Sequence, residues 1–449
     1  MAMHQDKTQT QFCLPQNDYP KVVVLGAGFA GLNFIKSLQN KPVQIVLIDQ
    51  HNFHQFQPLL YQVAISGLEP DSVVSPIRKL FKSQSDMRYR MAKVEYIDTD
   101  QKKVQTNIGY VHYDYLVVAT GSSTNFYGSK NIEKYSIGLK SINDAINIRS
   151  WMLQNLEKAV DGCNTEEKNS LTTFVIVGGG PAGVEMAGAL AEFKKYLLSS
   201  DYPEIKTDGM RIILVQSPNK ILPMMSEKSS SRAIKSLKKL GVEVILNGRV
   251  KDYDGENITI HMSKEEKNIS IQSKNVIWTA GVKGNIIKGI REEAIVRSRL
   301  KVNQYNQVDG YESIFAIGDI AAMISEETPK GHPMVAQVAI QQGKTLSNNI
   351  RSKIKNGSFK TAFKYKDKGS MATIGKKDAV ADLKVGFLKG RIGWLLWSFI
   401  HLISITAFKN RYRVALNWIM KYFTYDKTNQ LIIRQYKSCL LYTSPSPRD

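Results

Sequence analysis

The stretch KVVVLGAGFAGL, at residues 21–32, decides how this chain folds. An apolar run, a glycine-rich turn and a second apolar run are typical of a buried parallel strand that leads into a helix. The next apolar run, VQIVLID, ends at Asp49. In such a unit the glycines allow a tight turn, the helix N-terminus attracts a pyrophosphate, and the acidic residue accepts hydrogen bonds from ribose hydroxyls. The stretch therefore predicts a dinucleotide-binding domain. Its predicted contacts are Gly26, Gly28, Gly31 and Asp49.

A second copy of this pattern begins about 150 residues later, at TFVIVGGGPAGVEMAGALAEF, residues 173–193. The strand that follows, RIILVQ, ends in Gln216 rather than in an acidic residue. Because no carboxylate there would repel a 2′-phosphate, NADH and NADPH both stay open as ligands. We expect Gln216 to hydrogen-bond the ribose hydroxyls of NADH. The predicted contacts of the second site are Gly178, Gly180, Gly183 and Gln216.

Three other stretches are predicted strands with a functional residue at or near their ends. DYLVVATGSS, which contains Gly121, and NVIWTAGV, which contains Gly281, are similar in position and kind, and both glycines are predicted cofactor contacts. IFAIGDI returns the chain to the first domain and contains Asp319. Its carboxylate is placed to accept hydrogen bonds from flavin ribityl hydroxyls, or to cap the next helix.

These patterns predict an α/β fold with two Rossmann-like dinucleotide-binding domains, the second inserted in the first, and a C-terminal helical membrane-associating region. Two dinucleotide sites in one chain indicate an electron relay, with FAD held at the first site and a nicotinamide visiting the second. The predicted regions are a polar N-terminal extension (1–20), the FAD-binding domain (21–160 and 291–360), the NAD(P)H-binding domain (161–290), a membrane-anchoring or dimerisation region (361–438) and a tail (439–449).

The three cysteines, Cys13, Cys163 and Cys439, form no CxxC or CxxxxC pair. A dithiol redox centre and a zinc site are therefore not expected, and no metal site is predicted. The first twenty residues are polar, so a secretory signal is not expected either. The tail CLLYTSPSPRD continues no pattern in the chain, and we interpret it as foreign sequence.

Most of the positive charge lies near the C-terminus. The chain carries a formal net charge of +21, of which residues 351–449, with 20 basic and 5 acidic side chains, contribute +15. Such a region suits nucleic acid, anionic lipid or an acidic partner protein, and composition alone does not choose among them.

The basic region contains an uncharged run of 17 residues, Ile392–Phe408, flanked by lysines and arginines. A spanning helix needs about 20 apolar residues, so this run is too short and too polar to span a bilayer. Trp394, Trp397, Trp418 and Tyr422 are residues of the kind found at membrane interfaces. The region predicts one or two helices lying on an anionic membrane surface, or else a helical hairpin that packs on the body or forms a dimer.

The two glycine motifs, together with ATG at 119–121, TAG at 279–281 and FAIGD at 315–319, resemble the two-dinucleotide-domain flavoproteins. Within that superfamily, NFHQFQPLLYQVA at 52–64, AQVAIQQG at 336–343 and the C-terminal region resemble the type II NADH:quinone oxidoreductases. The resemblance covers about residues 20–425. It implies a single-subunit respiratory enzyme that passes a hydride from NADH to FAD and two electrons to membrane quinone, without proton pumping, at the cytoplasmic face of the cell membrane.

The resemblance also implies the quinone-side residues. AQVAIQQG predicts a helix that starts near Ala336, with Ala336 and Gln337 against the flavin ring and the Gln337 amide facing a quinone carbonyl. Gln341 lies four residues further on, on the same face. Glu185 is implied as an aid to proton delivery, with helix-dipole complementarity as the alternative. Lys376 is implied near the quinone path, with an ordinary surface lysine as the alternative.

Two other functions stay open at this stage. One is a reductase of a protein acceptor of the ferredoxin or rubredoxin kind, which would use the basic surface for docking. The other is a nucleic-acid-binding flavoprotein of the apoptosis-inducing-factor kind, although the sequence contains no recognisable nucleic-acid module. The aromatic C-terminal run favours membrane quinone over both, so no nucleic-acid partner is expected. Quinone type and a homodimer also stay open.

Overall fold

The computed structural model describes residues 10–39, 41–82, 84, 86–161, 164–206, 209–384, 386–423, 430–432 and 436. The chain divides into two compact units. The described residues up to His54, with Ser75–Ser123 and Val282–Asp367, form the first unit. Gln55–Val74, Thr124–Gly281 and the described residues from Lys368 onward form the second.

The first unit is built on a five-stranded parallel sheet. In spatial order its strands are Ile314–Ala316, Tyr115–Val118, Lys21–Leu25, Gln44–Asp49 and Met87–Met91. Four of the five residues in the central strand Lys21–Leu25 are buried, because a parallel sheet is covered on both faces. Helices Phe29–Ser37 and Ala336–Asn356 pack against each other in this unit.

Smaller elements complete the first unit. A three-stranded antiparallel sheet contains Val94–Asp98, Lys103–Thr106 and Gly109–His112. A second small sheet contains Ile295–Val296, Arg299–Val302 and Ala321–Met323. The other elements are strand Val282–Gly284, helix Ile77–Leu80 and the 3-10 turns Glu292–Ala294 and Gly318–Ile320. Three short strands lie at the limits of the units in sequence: Phe53–Gln55, Val74–Pro76 and Ser122–Thr124.

The second unit repeats the parallel arrangement. Its sheet has the order Ile137–Gly138, Asn275–Trp278, Thr173–Val177, Arg211–Gln216 and Glu243–Leu246. An antiparallel sheet contains Gly248–Tyr253, Asn257–Met262 and Lys267–Gln272. Its helices are Leu60–Ala64, Lys130–Tyr135, Ile142–Val160, Thr165–Thr172, Pro181–Phe193, the π-helix Lys194–Leu198, Ser199–Asp201 and Glu227–Lys239, with 3-10 turns at Gln57–Leu59 and Pro70–Ser72.

The C-terminal region packs on the second unit as a hairpin sheet followed by two helices. The strands are Ser370–Gly375, Asp378–Leu383 and Gly386–Lys389, and the helices are Gly390–Ser404 and Phe408–Phe423. Strand Ser370–Gly375 lies so close to helix Pro181–Phe193 that a side chain on Gly188 would run into the backbone of Ile374. Within the described ranges, no helix combines the length and the apolar character that crossing a bilayer requires.

The predicted fold class is confirmed by the two parallel sheets in nested segments of the chain. Helix Thr165–Thr172 begins after Asn164, whose side chain caps it by accepting a hydrogen bond from the Glu167 N–H. The C-terminal region, predicted to form one or two helices, forms two, since the first helix ends at Ser404, within the uncharged run Ile392–Phe408, and the second starts at Phe408.

The compact units also differ in their limits from the predicted domains. Helix Ile142–Val160 belongs to the second unit, where the Trp151 indole donates to the Lys274 carbonyl and the Asn155 amide donates to Asn275. The predicted domain limits, which concern nucleotide-binding modules, stay a prediction. The predicted tail 439–449, and with it Cys439, lies outside the described residues, as does Cys163.

Candidate functional site

The first glycine loop joins strand Lys21–Leu25 to helix Phe29–Ser37. Gly26 has a φ of +106°, and a side chain on it would run into the Ala119 backbone. A side chain on Gly31 would run into the Gly26 carbonyl. A Cβ on Gly28, in contrast, would meet no atom within 4 Å. The turn and the packing therefore require Gly26 and Gly31, whereas Gly28 leaves open space at a helix N-terminus, where a phosphate binds well.

Asp49 fixes this loop from the end of the neighbouring strand. Its carboxylate accepts hydrogen bonds from the Ala27 N–H at 2.7 Å and from the His51 N–H at 2.8 Å. Burial raises the pKa of Asp49, and the two N–H donors act in the opposite direction. Each carboxylate oxygen can accept a further hydrogen bond, so the predicted contact with ribose hydroxyls is compatible with the loop contact.

Two other predicted contacts lie in the same unit. Gly121 has a φ of +66°, and a Cβ on it would meet nothing within 4 Å. The next residue, Ser122, donates its hydroxyl to the Asp319 carboxylate. The alternative role of Asp319 as a helix cap is wrong, because the turn that contains it is capped by Ile317 and the following helix by Val335.

The second glycine loop repeats the first in detail. Gly178 has a φ of +110°, a side chain on Gly183 would run into the Gly178 carbonyl, and a Cβ on Gly180 would meet nothing within 4 Å. Gln216 accepts a hydrogen bond from the Gly179 N–H through Oε1 at 2.7 Å, the same loop contact that Asp49 makes in the first unit. An amide thus replaces a carboxylate at this position without loss of the loop geometry.

The Gln216 amide nitrogen and Gly281 each have a defined neighbour. Gln216 Nε2 donates to the Lys220 carbonyl at 3.3 Å. Gly281 has a φ of +126°, and a side chain on it would run into the Tyr127 hydroxyl, which donates to the Ala280 carbonyl at 2.8 Å. Gly281 is therefore required by its backbone conformation, whereas the Tyr127 hydroxyl is the end of an exposed side chain.

The predicted quinone-side helix begins at Ala336, as expected, and runs to Asn356. Its N-cap, Val335, provides no side-chain acceptor for the first N–H groups of the helix. The positive end of the helix dipole therefore favours a negatively charged or electron-rich partner. Gln337 lies in the first turn. The Gln341 amide is held at both ends by Lys366, whose N–H donates to Oε1 at 3.0 Å and whose carbonyl accepts from Nε2 at 2.9 Å.

Sequence reasoning missed Gln342, the neighbour of Gln341. Its side chain is 1% exposed, and its Oε1 accepts a hydrogen bond from the Gly318 N–H at 2.8 Å. Gly318 has a φ of +77° and immediately precedes Asp319. Gln342 therefore ties the helix to the turn that positions Asp319. The only signal in the sequence was a polar residue at a buried helical spacing.

Glu185 and Lys376, which the sequence places almost 200 residues apart, line one cavity of about 110 Å³ in the second unit. Glu185 is 7% exposed, and burial raises its pKa to about 8, so the carboxyl group is largely protonated at neutral pH. Burial and Lys377 lower the pKa of Lys376, while Glu192 acts to raise it. Glu185 is thus buried in the cavity wall, and Lys376 is half-buried beside it.

A chain of hydrogen bonds crosses this cavity. The Trp418 indole donates to Gln62 Oε1 at 2.9 Å, and Gln62 Nε2 donates to the Tyr61 hydroxyl at 3.0 Å. The Tyr61 hydroxyl is 3.0 Å from Thr373 Oγ1, and the Thr373 N–H lies 3.5 Å from Glu185 Oε1. Sequence reasoning used Tyr61 and Gln62 only as part of a family motif and did not assign them to a site.

Residues 20–343 match the pyridine nucleotide-disulphide oxidoreductase family, and residues 368–425 match the NDH2 C-terminal domain. The chain is 34% identical over 424 residues to the type II NADH:quinone oxidoreductase Ndh of Mycobacterium tuberculosis. The aligned residues cover 92% of this chain and 90% of the relative. This chain belongs to the type II NADH:quinone oxidoreductases. The predicted family, fold class and NADH:quinone oxidoreductase activity are thereby confirmed.

Two solved structures share the fold of this type II NADH:quinone oxidoreductase. The structure of NDH2 from Plasmodium falciparum in complex with NADH has a TM-score of 0.84 at 23% identity, over 92% of this chain and all of the other. The sulfide:quinone oxidoreductase from Aquifex aeolicus has a TM-score of 0.69 at 19% identity, over 92% and 93% of the two chains.

The C-terminal helices of this type II enzyme carry an exposed apolar stripe. Its residues are Ile392, Leu395, Phe399 and Ile403 on the first helix and Phe408, Tyr412, Leu416, Ile419 and Met420 on the second, each at least 41% exposed. A groove of about 390 Å³ runs between the helices, and Trp394 and Trp418 line both this groove and the cavity of Glu185.

One of the predicted interface residues lies elsewhere. Trp397 is 1% exposed and stacks on His401 with ring centroids 4.1 Å apart, so it belongs to the packing between the helices and the body of the unit. Its expected place at a membrane surface was wrong, because position 397 faces away from the exposed stripe. The Tyr422 side chain lies outside the described residues.

Proposed function

We propose that this enzyme holds FAD at the first glycine loop and binds NADH at the second. Bound FAD would accept a hydride from NADH and release two electrons to a quinone. Amino-acid side chains do not supply this redox chemistry. The observation that carries the proposal is the matched geometry of the two loops. Each has open space at Gly28 or Gly180, and each is fixed by a side chain from the next strand, Asp49 or Gln216.

In the first unit, the glycine loop, Asp49, Asp319 and Gly121 would hold the dinucleotide. The loop from Gly26 to Gly31 presents helix N–H groups to the phosphates, and Asp49 accepts from a ribose. Asp319, oriented by the Ser122 hydroxyl, accepts from ribityl hydroxyls. Gly121, whose Cβ position is open, lets the backbone approach the ligand closely.

In the second unit, Gly178, Gly180, Gly183 and Gly281 shape the nicotinamide dinucleotide site. Gln216 keeps a lone pair on Oε1 for a ribose hydroxyl after it has accepted the Gly179 N–H. An amide carries no negative charge, so NADPH is not repelled as it would be by a carboxylate. We expect NADH to be the better substrate and NADPH to be used measurably.

The quinone-side residues divide into contacts and supports. Gln337, in the first turn of its helix, is proposed to face a quinone carbonyl, with Ala336 against the flavin. Gln341 is proposed to position that helix, since both ends of its amide bond the Lys366 backbone. Glu185 is proposed as a proton donor to the reduced quinone, and Lys376 as a cation on the quinone path.

The experiment that tests the function is steady-state oxidation of NADH and NADPH by a short-chain quinone in detergent. The flavin released from denatured protein is identified in parallel by chromatography. We expect one FAD per chain and quinone-dependent NADH oxidation with a KM for NADPH at least about tenfold above that for NADH. Purified, folded protein that contains no FAD and gains no quinone activity when FAD is added would overturn the proposal.

We also propose that the two C-terminal helices lie on an anionic membrane surface at its cytoplasmic face, where NADH and the membrane quinone are both within reach. The exposed apolar stripe supplies the buried face, and Arg391, Lys409, Arg411 and Arg413 supply the basic flanks. Arg413 is also paired with Asp71 in the second unit. A homodimer stays a prediction.

Replacing Leu395 and Phe399 together with glutamate is expected to lower binding to anionic vesicles by at least about 100-fold. Each side chain is 61% exposed, and burial of one large apolar side chain contributes about 1.5–3 kcal/mol. Co-sedimentation with vesicles of phosphatidylglycerol and phosphatidylcholine measures the effect. Met224→Glu, at a residue 71% exposed outside these helices, serves as the matched control. Equal vesicle binding by the double variant and the control would contradict the membrane role.

A further inference from the structure

A second carboxylate, Glu192, lines the same cavity as Glu185. Both residues belong to helix Pro181–Phe193 and lie seven positions apart. At about 3.6 residues per turn and 1.5 Å per residue, they share a face and are separated by about 10 Å along the axis. Glu185 is 7% exposed, whereas Glu192 is only half-buried. The cavity therefore has one carboxyl group at its buried end and another nearer to solvent.

The backbone of the C-terminal hairpin holds Glu192 in place. The Lys376 N–H donates to its Oε1, and a Cβ on Gly375 would come within 2.8 Å of the same oxygen. The negative charge of Glu192 acts to raise the pKa of Lys376, whereas burial and the charge of Lys377 act to lower it. The position of this carboxylate is thus fixed by residues that line the cavity and not by the helix alone.

Hydroxyl groups that can pass a proton line the same cavity as the two carboxyl groups. The Tyr61 hydroxyl bonds both Thr373 Oγ1 and Gln62 Nε2, and the charges of Glu185 and Glu192 both act to raise the pKa of Tyr61, which burial raises first. Tyr61 is therefore within electrostatic reach of each carboxyl group. A cavity of about 110 Å³ has room for several water molecules, since one needs at least about 10–15 Å³ of such space.

We propose that Glu192 is the solvent-side member of a proton path that reprotonates Glu185 through Tyr61 and cavity water. The inference rests on the proposed role of Glu185 as a proton donor. The other titratable groups that line the cavity are Lys376 and Tyr196. Glu192 acts on the reaction only by returning a proton to Glu185. It is therefore a positioning residue and not a catalytic one.

The proton balance of the reaction requires a second proton beyond the one that the hydride brings. Conversion of a quinone to a quinol takes two electrons and two protons, and the hydride of NADH brings both electrons and one proton. The second proton comes from water. In the proposed path, the O–H bond of Glu185 breaks as a quinol O–H bond forms. A proton then moves from Glu192 to Glu185, and Glu192 recovers one from solvent.

The test compares Glu192→Gln with the wild-type enzyme, using a short-chain quinone and ferricyanide as separate acceptors. Ferricyanide takes electrons without protons, so it reports hydride transfer and folding alone. We expect quinone reduction at pH 8 to fall by about tenfold with a larger solvent deuterium isotope effect, because a general proton-transfer group contributes on this scale or above it. Ferricyanide reduction is expected to stay unchanged, and Glu192→Asp to recover part of the loss.

Glu167→Gln is the matched control, because Glu167 is an exposed carboxylate of the same unit that does not line the cavity. An unchanged quinone rate and isotope effect in Glu192→Gln, with a slow Glu185→Gln, would refute the path and leave the proposed role of Glu185 intact. If Glu185→Gln is also unimpaired, the role of Glu185 itself fails. An equal loss with both acceptors in Glu192→Gln would assign Glu192 a structural role and overturn the inference.

Discussion

Replacing Glu185 with glutamine is expected to lower the rate of quinone reduction by about 100-fold while ferricyanide reduction by NADH is unchanged. A positioned general acid contributes about 10²–10⁴-fold to a proton-coupled step. Glutamine keeps the size of the side chain and its ability to accept from the Thr373 N–H, but it has no proton to give. Stopped-flow measurement of the two acceptor reactions separates this loss from any effect on NADH binding.

The pH dependence supplies an independent check. Because burial raises the pKa of Glu185 to about 8, the donor is protonated below that pH and is lost above it. In the wild-type enzyme, quinone reduction should fall by about tenfold per pH unit above about 8, and in Glu185→Gln this limb should be absent. A pH profile that is the same in both proteins would contradict the assignment of the donor.

The raised pKa of Glu185 also makes the stability of the fold depend on pH. The pKa of this carboxyl group is raised from 4.5 when exposed to about 8 in the fold, so the folded state favours the protonated form. The stability contribution is complete below pH 4.5 and is lost as the pH rises through about 8. The free energy of unfolding of the wild type should therefore decline over this window relative to that of Glu185→Gln, as urea titrations at several pH values would record.

Replacing Gly28 with alanine is expected to remove most of the bound FAD without unfolding the protein. A Cβ at this position meets no protein atom within 4 Å, and its φ of −69° suits any residue, so the fold tolerates the change. The added methyl group occupies the space through which the backbone approaches a pyrophosphate. Absorbance of the desalted protein near 450 nm measures the flavin, and circular dichroism measures the fold. We expect at least about tenfold less bound FAD.

Gly180→Ala is the matched control in the second loop, where the Cβ position is equally open and φ is −73°. That variant should retain FAD and instead raise the KM for NADH by about tenfold or more. If Gly28→Ala retains its flavin, or if Gly180→Ala loses it, the assignment of the two dinucleotides to the two loops is incorrect.

The two nucleotide-binding loops could be read from the sequence because all their requirements are local. A strand, a turn with glycine where φ is positive, and the start of a helix lie within twelve residues, and the residue that fixes the loop follows one strand later. Gln216 shows the limit of this reasoning. The sequence indicated that a carboxylate was missing and predicted a ribose contact for Gln216, whereas the structure shows that the amide makes the same loop contact as Asp49.

The sequence by itself determined the family, the two parallel sheets and the dinucleotide loops of this protein, since hydrophobic periodicity and glycine spacing are short-range properties. Only the tertiary structure decided that Glu185 meets Tyr61, Glu192 and the hairpin around Lys376 in one cavity. It also decided that Trp397 is packed inside while its neighbours on the helix are exposed. Burial and the proximity of distant segments set the pKa of Glu185 and the surroundings of each tryptophan, and no local pattern encodes either of them.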